Sequence, residues 1–151
     1  MKKISRWIAL ALVMTLAAVP ALAATADEQT LYALVAQDRA NYGLNVPVLD
    51  EELCRIARIK AQDMLDNGYF AHTSPTYGDA RQMLTSFGYS YAGASENIAR
   101  SRSVEHAQAA FLSSSTGHRA TLLGSQWTHM GVGVTRTPAG FVYVVEIFVR
   151  K

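Results

Sequence analysis

Apolar residues first recur at helical spacing over residues 27–44, where Leu31, Leu34, Val35 and Tyr42 mark one face and Gly43 ends the run. Residues 45–49 read as a connector containing Pro47. A second helix is expected from Asp50, whose carboxylate can accept from the free amides of the first turn, with Glu51 and Glu52 at the positive end of its dipole. Leu53, Ala57, Ala61, Met64 and Leu65 form its apolar stripe, and Asn67-Gly68 stops it. Residues 69–78 form a loop with Pro75 and Gly78 as breakers, and residues 79–87 a short helix closed by Gly88. After an irregular stretch, Glu96 to Ala99 reads as extended. Ser103 caps a fourth helix running to about Ser114, with Val104, Ala107, Phe111 and Leu112 inward. Thr116-Gly117 interrupts it before a further turn over residues 118–123.

The period then changes. Residues 130–134 and 141–148 are β-rich, and Pro138-Ala139-Gly140 supplies the turn of an antiparallel hairpin. Helices first and a hairpin last indicate an α+β domain.

The N-terminus stands apart from this pattern. Met1 to Arg6 is basic, Trp7 to Val19 is apolar and uncharged, and Pro20-Ala21-Leu22-Ala23 closes the run with small residues. This is the arrangement of a secretory signal peptide over residues 1–23, with Ala26 as the alternative cleavage position and an uncleaved anchor as the other reading. No cysteine lies at the cleavage site, which argues against lipidation. The remaining domain is assigned to residues 27–150.

Export changes the charge picture. Without Lys2, Lys3 and Arg6 the 14 basic residues fall to 11 against 12 acidic ones, a net charge of −1. No basic block suggests a nucleic-acid partner. After cleavage no segment reaches the roughly 20 apolar residues of a membrane span. Cys54, the only cysteine, excludes an intramolecular disulfide and lies on a helical apolar pattern, so it is expected to be buried.

Candidate chemistry sits in three short segments. His72 lies in Tyr69-Phe70-Ala71-His72-Thr73-Ser74-Pro75, Glu96 opens Glu96-Asn97-Ile98-Ala99, and His118 lies in Gly117-His118-Arg119. Two imidazoles and a carboxylate suffice for a divalent metal or for acid/base work. His118 is expected to be neutral, because a helix N-terminus disfavours added positive charge. Glu96 can orient an imidazole by accepting from its N–H, or act as a base. Asn97 is expected to bridge loop backbone, His106 to be solvated, and His129 to be a weaker third histidine. Ser113 to Ser115 lie near His118, but no Gly-x-Ser-x-Gly surrounds them, and His-Glu-x-x-His is absent.

Taken in order, Arg39…Gly43-Leu44…Pro47-Val48-Leu49, Ala61-Gln62-Asp63-Met64, Asn67 to Pro75, Glu96 to Ala99, Ser115 to Arg119 and Thr128 to Gly133 resemble the CAP superfamily of SCP-like extracellular, cysteine-rich secretory proteins. The resemblance is to its disulfide-free bacterial branch. It implies an α-β-α sandwich, with a small antiparallel sheet between helical layers and a cleft lined by two histidines and two acids. His72, His118 and Glu96 take three of those places. The stretch Phe111 to Ser115 holds no carboxylate where the second acid is common, and Glu146 stands where a glutamine is common. Trp near Phe111, Gly at Ser95 and Asn at Thr121 are further family residues replaced here.

The cleft expected from these residues is His72, Glu96, His118, Asn97, His129 and Glu146, with His72 and His118 as metal ligands. Two protein ligands imply at most a weak, exchangeable Zn2+. The leading expectation is a secreted or envelope-associated, non-enzymatic module for an envelope, lipid or protein ligand. The alternative is a metal-assisted hydrolase acting on peptide or envelope material, with Glu96 activating water. A purely structural coat or surface protein is the third class.

Overall fold

The computed structural model describes residues 24–151; the expected export signal over residues 1–23 lies outside the described residues. Helix α1 (Ala26–Asn41) begins with a capping box in which Thr25 and Glu28 satisfy each other's free amides. The chain continues through β1 (Val48–Leu49), α2 (Glu51–Asp66), α3 (Ala80–Ser86) and β2 (Gly93–Ser101). It ends with α4 (Val104–Ser113), α5 (Gly117–Leu122), β3 (His129–Arg136) and β4 (Val142–Arg150). Asp50, Asp79 and Ser103 cap α2, α3 and α4. Among the described residues no helix is long and apolar enough to cross a membrane.

The strands form one sheet in the order β1-β3-β4-β2. The hairpin β3–β4 is antiparallel, as expected, and β2 lies antiparallel to β4 on its other side. Two features depart from the expectation. The connector ends in a two-residue strand parallel to β3, so the sheet is mixed rather than purely antiparallel. Strand β2 spans nine residues instead of four. Its Ser and Arg residues carry little β preference of their own; pairing with β4 along its whole length makes them a strand.

Strand β4 explains the layering. Val142, Val144 and Phe148 join Leu31, Val35, Phe111 and Leu122 in a core under α1, α4 and α5. Tyr143, Val145, Ile147 and Val149 face the other way, against Leu53, Ile56, Ala61, Met64 and Met83 of α2 and α3. A central strand buried on both faces reads as an unbroken apolar run, and the result is an α-β-α sandwich. Cys54 is buried, as expected, and accepts the Val132 N–H at 3.4 Å. Burial raises its pKa, which leaves the thiol unreactive.

Arg39 is fully buried on the α1 stripe. Its guanidinium donates to three main-chain carbonyls, Asn45 at 2.9 Å, Leu122 at 2.7 Å and Gly124 at 3.0 Å. It thereby ties α1 and the following connector to the end of α5. Arg39→Met leaves these buried carbonyls without a donor and is expected to cost about 3 kcal/mol, read as a lower urea midpoint at unchanged slope.

Candidate functional site

The loop after α2 is held from beneath by two charged residues of that helix. Lys60 is fully buried and donates from Nζ to the His72 carbonyl at 2.8 Å, with the Tyr69 ring 5.2 Å away. Burial lowers its pKa, while the nearby Glu96 and Asp63 charges raise it. Asp63 accepts from Ser74 Oγ at 2.7 Å, from Asn67 at 2.7 Å and from the Tyr69 hydroxyl. Burial pushes the Tyr69 phenol up to about 12, and the Asp63 hydrogen bond adds to that shift. Ser74 Oγ accepts in turn from the amides of Thr76 and Tyr77. A two-way bridge between Ser74 and Gly78 closes the loop, with Gly78 at a φ of 75°. His72 therefore sits on a braced turn.

His72 Nδ1–H donates to Glu96 Oε1 at 2.8 Å. The imidazole is 56% exposed and the Glu96 carboxylate only 4%. That hydrogen bond, opposed by partial burial, raises the His72 pKa above its ordinary value. Committing Nδ1 to a carboxylate leaves Nε2 facing solvent.

His118 occupies the first turn of α5, in the opposite layer. Its ring packs on Phe111 at a centroid distance of 5.3 Å, and Nδ1 lies 3.4 Å from Ser114 Oγ. Burial lowers its pKa, and the positive charge of His72 lowers it further, so the two rings share one electrostatic neighbourhood. Neutral His118 is the form expected for a helix start. Ser95 Oγ meets Thr121 Oγ1 of α5 at 2.9 Å, adding a second link from β2 to this helix.

Asn97 points to the α5 side of the sheet. Its Nδ2 donates to the His118 carbonyl at 3.2 Å and to Glu146 Oε2 at 3.1 Å. One of its two partners is main chain, a carbonyl of helix α5 rather than of a loop, and the other is a buried side-chain carboxyl. Glu146 is fully buried beneath it and does not line the open cleft. Cross-strand neighbours Asn97 and Glu146 share one face of the sheet, while Glu96 faces the other. Burial, with a smaller contribution from Asp38, pushes the Glu146 carboxyl up to about 8, against the Asn97 hydrogen bond.

His129 is not brought to this cleft. It begins β3, two strands away from β2, and its Nδ1 bonds Thr128 Oγ1 at 2.8 Å. His106 is exposed on α4. Lys60 and Asp63 are supporting residues not among the expected cleft residues, although Asp63 lies in the Ala61-Gln62-Asp63-Met64 segment. Their signal is a charged pair on or beside the stripe that carries Ala57, Ala61 and Met64.

The residues fit a metal only loosely. Two imidazole Nε2 atoms are available, one fixed by Glu96, yet no group of three or more His, Cys, Asp or Glu converges on a metal position among the described residues. A serine triad is not assembled either, because Glu96 bonds His72 while Ser114 lies beside His118.

The profile of CAP, the cysteine-rich secretory protein family, matches residues 32–148. The chain belongs to that family. Within it, the CAP domain is 41% identical over 109 residues to the uncharacterized protein YkwD of Bacillus subtilis, covering 72% of this chain and 42% of that protein. An extracellular protein containing an SCP domain from Bacillus anthracis superposes with a TM-score of 0.76 at 32% identity, over 83% of this chain and 40% of that one. An outer surface protein of Borrelia burgdorferi gives the same TM-score at 22% identity, over 83% of this chain and 92% of that one, a likeness of fold. The matched CAP region thus spans about two fifths of the YkwD length.

Proposed function

We propose that the protein is an exported binding module whose His72–Glu96–His118 cleft takes a ligand or partner outside the cell or at its envelope. The observation that carries this reading is the division of the polar groups into two separate couples. Glu96 is spent on orienting His72, and the Ser114 hydroxyl near His118, itself bonded to Thr116 Oγ1, has no carboxylate-oriented base behind it. Such a cleft presents donors and acceptors to a ligand without an assembled nucleophile.

Export is supported by the basic and apolar pattern of residues 1–23, and by the extracellular description of the Bacillus anthracis relative. Cleavage after Ala23 retains the Thr25 cap of α1, whereas cleavage after Ala26 removes it.

The test is cosedimentation of the purified protein with isolated bacterial envelopes. The expected result is retention that falls about tenfold in the His72→Ala, His118→Ala double variant. Equal retention of both proteins, or peptide or ester turnover that depends on His118, would overturn the reading.

A divalent ion held by His72 and His118 would supply a Lewis-acidic point for a ligand oxygen. Glu96 then fixes the His72 tautomer, and burial keeps His118 in its neutral, metal-binding form. Zinc titration by calorimetry is expected to give a weak, reversible signal that disappears in His118→Ala; tight stoichiometric binding that survives the substitution contradicts this.

A further inference from the structure

Strand β2 is an edge strand, and the direction of its main-chain groups follows from the rest of the sheet. On β3, the Met130 carbonyl accepts from the Asp50 amide just after β1, and the amides of Val132 and Val134 donate to Cys54 Sγ and Glu28 Oε1. The even-numbered residues of β3 thus turn away from β4. Alternation then makes Gly131–Ile147 and Gly133–Val145 the hydrogen-bonded pairs, and turns the even residues of β4 toward β2. On β2, Ser95, Asn97, Ala99 and Ser101 are consequently bonded to β4. The N–H and C=O groups of Glu96, Ile98 and Arg100 face outward.

Those outward groups have no hydrogen-bond partner among the described residues; only the Ala94 carbonyl on this edge is engaged, by Arg81 at 3.4 Å. Glu96 is partly exposed although its side chain is almost fully buried, so the accessible part is main chain. Long unpaired edges are usually blunted in native proteins, because they template a further strand. Here the edge runs between His72, which approaches from the α2 layer, and α5 with His118 on the other side.

The end of the edge carries a cation without an anion. Arg100 is exposed, and its guanidinium lies over Phe141 at 5.2 Å and Tyr143 at 5.8 Å, with no ion pair among the described residues. Phe70 packs on the same Tyr143 at 6.3 Å and is itself 49% exposed. Aromatic stacking on one side leaves the N–H donors of Arg100 open to a carboxylate.

We propose that the edge of β2 from Glu96 to Arg100 is the docking line for an extended polypeptide segment, which adds as a further strand and sets an acidic side chain against Arg100. Main-chain pairing supplies affinity, and the histidines and Arg100 supply selection along the segment. The proposal rests on the binding reading of the cleft and names the ligand class for it.

The probe is a capped eight-residue peptide alternating threonine and valine with one central glutamate, followed by NMR of the labelled protein. The amides of Glu96, Ile98 and Arg100 are expected to shift and to gain exchange protection. N-methylation of alternate peptide amides should weaken binding about tenfold, and Arg100→Glu about fivefold, with the preference reversed toward a lysine peptide. Shifts confined elsewhere, equal binding of the methylated peptide, or no response at millimolar peptide would overturn the proposal. If the peptide gives no response while envelope retention still depends on His118, the edge pairing fails and the binding reading stands. A peptide response at the edge without any histidine-dependent retention supports the edge pairing and overturns the histidine-cleft reading.

Discussion

Glu146→Gln is expected to make the protein about 3 kcal/mol more stable than the wild type at pH 7, and to differ little at pH 4. Glu146 is fully buried, with its carboxyl pushed up to about 8 from an unfolded value of 4.5. The sign follows from proton binding. Between those two values the unfolded chain has released the proton and the folded chain still holds it, so stability falls as pH rises. The contribution is fully present below the unfolded value and is lost as pH climbs through the folded one. Glutamine is neutral throughout and keeps an acceptor for Asn97 Nδ2. Its amide, like the protonated carboxyl it replaces, carries a donor into an interior where Asn97 Oδ1 and Gln108 Oε1 are buried without one. The groups bearing on this carboxyl are Asn97 on β2 and the charge of Asp38 on α1, which is itself held by Gln108 of α4. Urea unfolding of both proteins from pH 4 to pH 8 should show a falling wild-type curve and a flat difference only at the acid end. Parallel curves would contradict a protonated Glu146.

Gly133→Val is expected to cost about 3 kcal/mol or more and to disturb the cleft as well as the core. A Cβ at Gly133 would stand 2.2 Å from the Ala57 carbonyl carbon and 2.3 Å from the Arg58 nitrogen. At Gly131 it would stand 2.2 Å from the carbonyl carbon of Leu53. Both collisions are with helix backbone, which cannot turn aside as a side chain can. The two glycines of β3 therefore let α2 lie directly on the sheet, and any side chain there lifts the helix. Lys60 and Asp63 ride on that helix and brace the His72 loop. The variant should lose the raised His72 titration together with stability. Gly117→Ala provides the contrast: nothing lies within 4 Å of the added carbon, and the change should stay within about 0.5 kcal/mol.

Glu146 and Gly133 also show what is legible in the sequence. The helices over α1 to α4, the Asp50 and Ser103 caps and the C-terminal hairpin follow from periodicity and capping chemistry, because each is decided locally. The length of β2 and the short strand β1 depend on partners far along the chain, and their own residues do not declare them. At the cleft, His72, Glu96 and His118 are marked by their segments and meet around one strand. His129 carries a similar local signal, but sheet order sets it two strands away. Glu146 is expected near the cleft from sequence; the alternation of β4 puts it on the opposite face from Glu96, behind Asn97. Lys60 is concealed by its surroundings, a lysine on a stripe of small apolar residues whose ammonium is used to hold a carbonyl.

One cleft thus holds two imidazoles whose pKa values are pushed in opposite directions across a strand edge, with Glu96 committed to one of them. Histidine NMR against pH probes this arrangement without an intermediary. His72 is expected to titrate above its ordinary value and His118 below it, and Glu96→Gln to bring His72 down. Two histidines titrating together at the ordinary value, unaffected by Glu96→Gln, would contradict it.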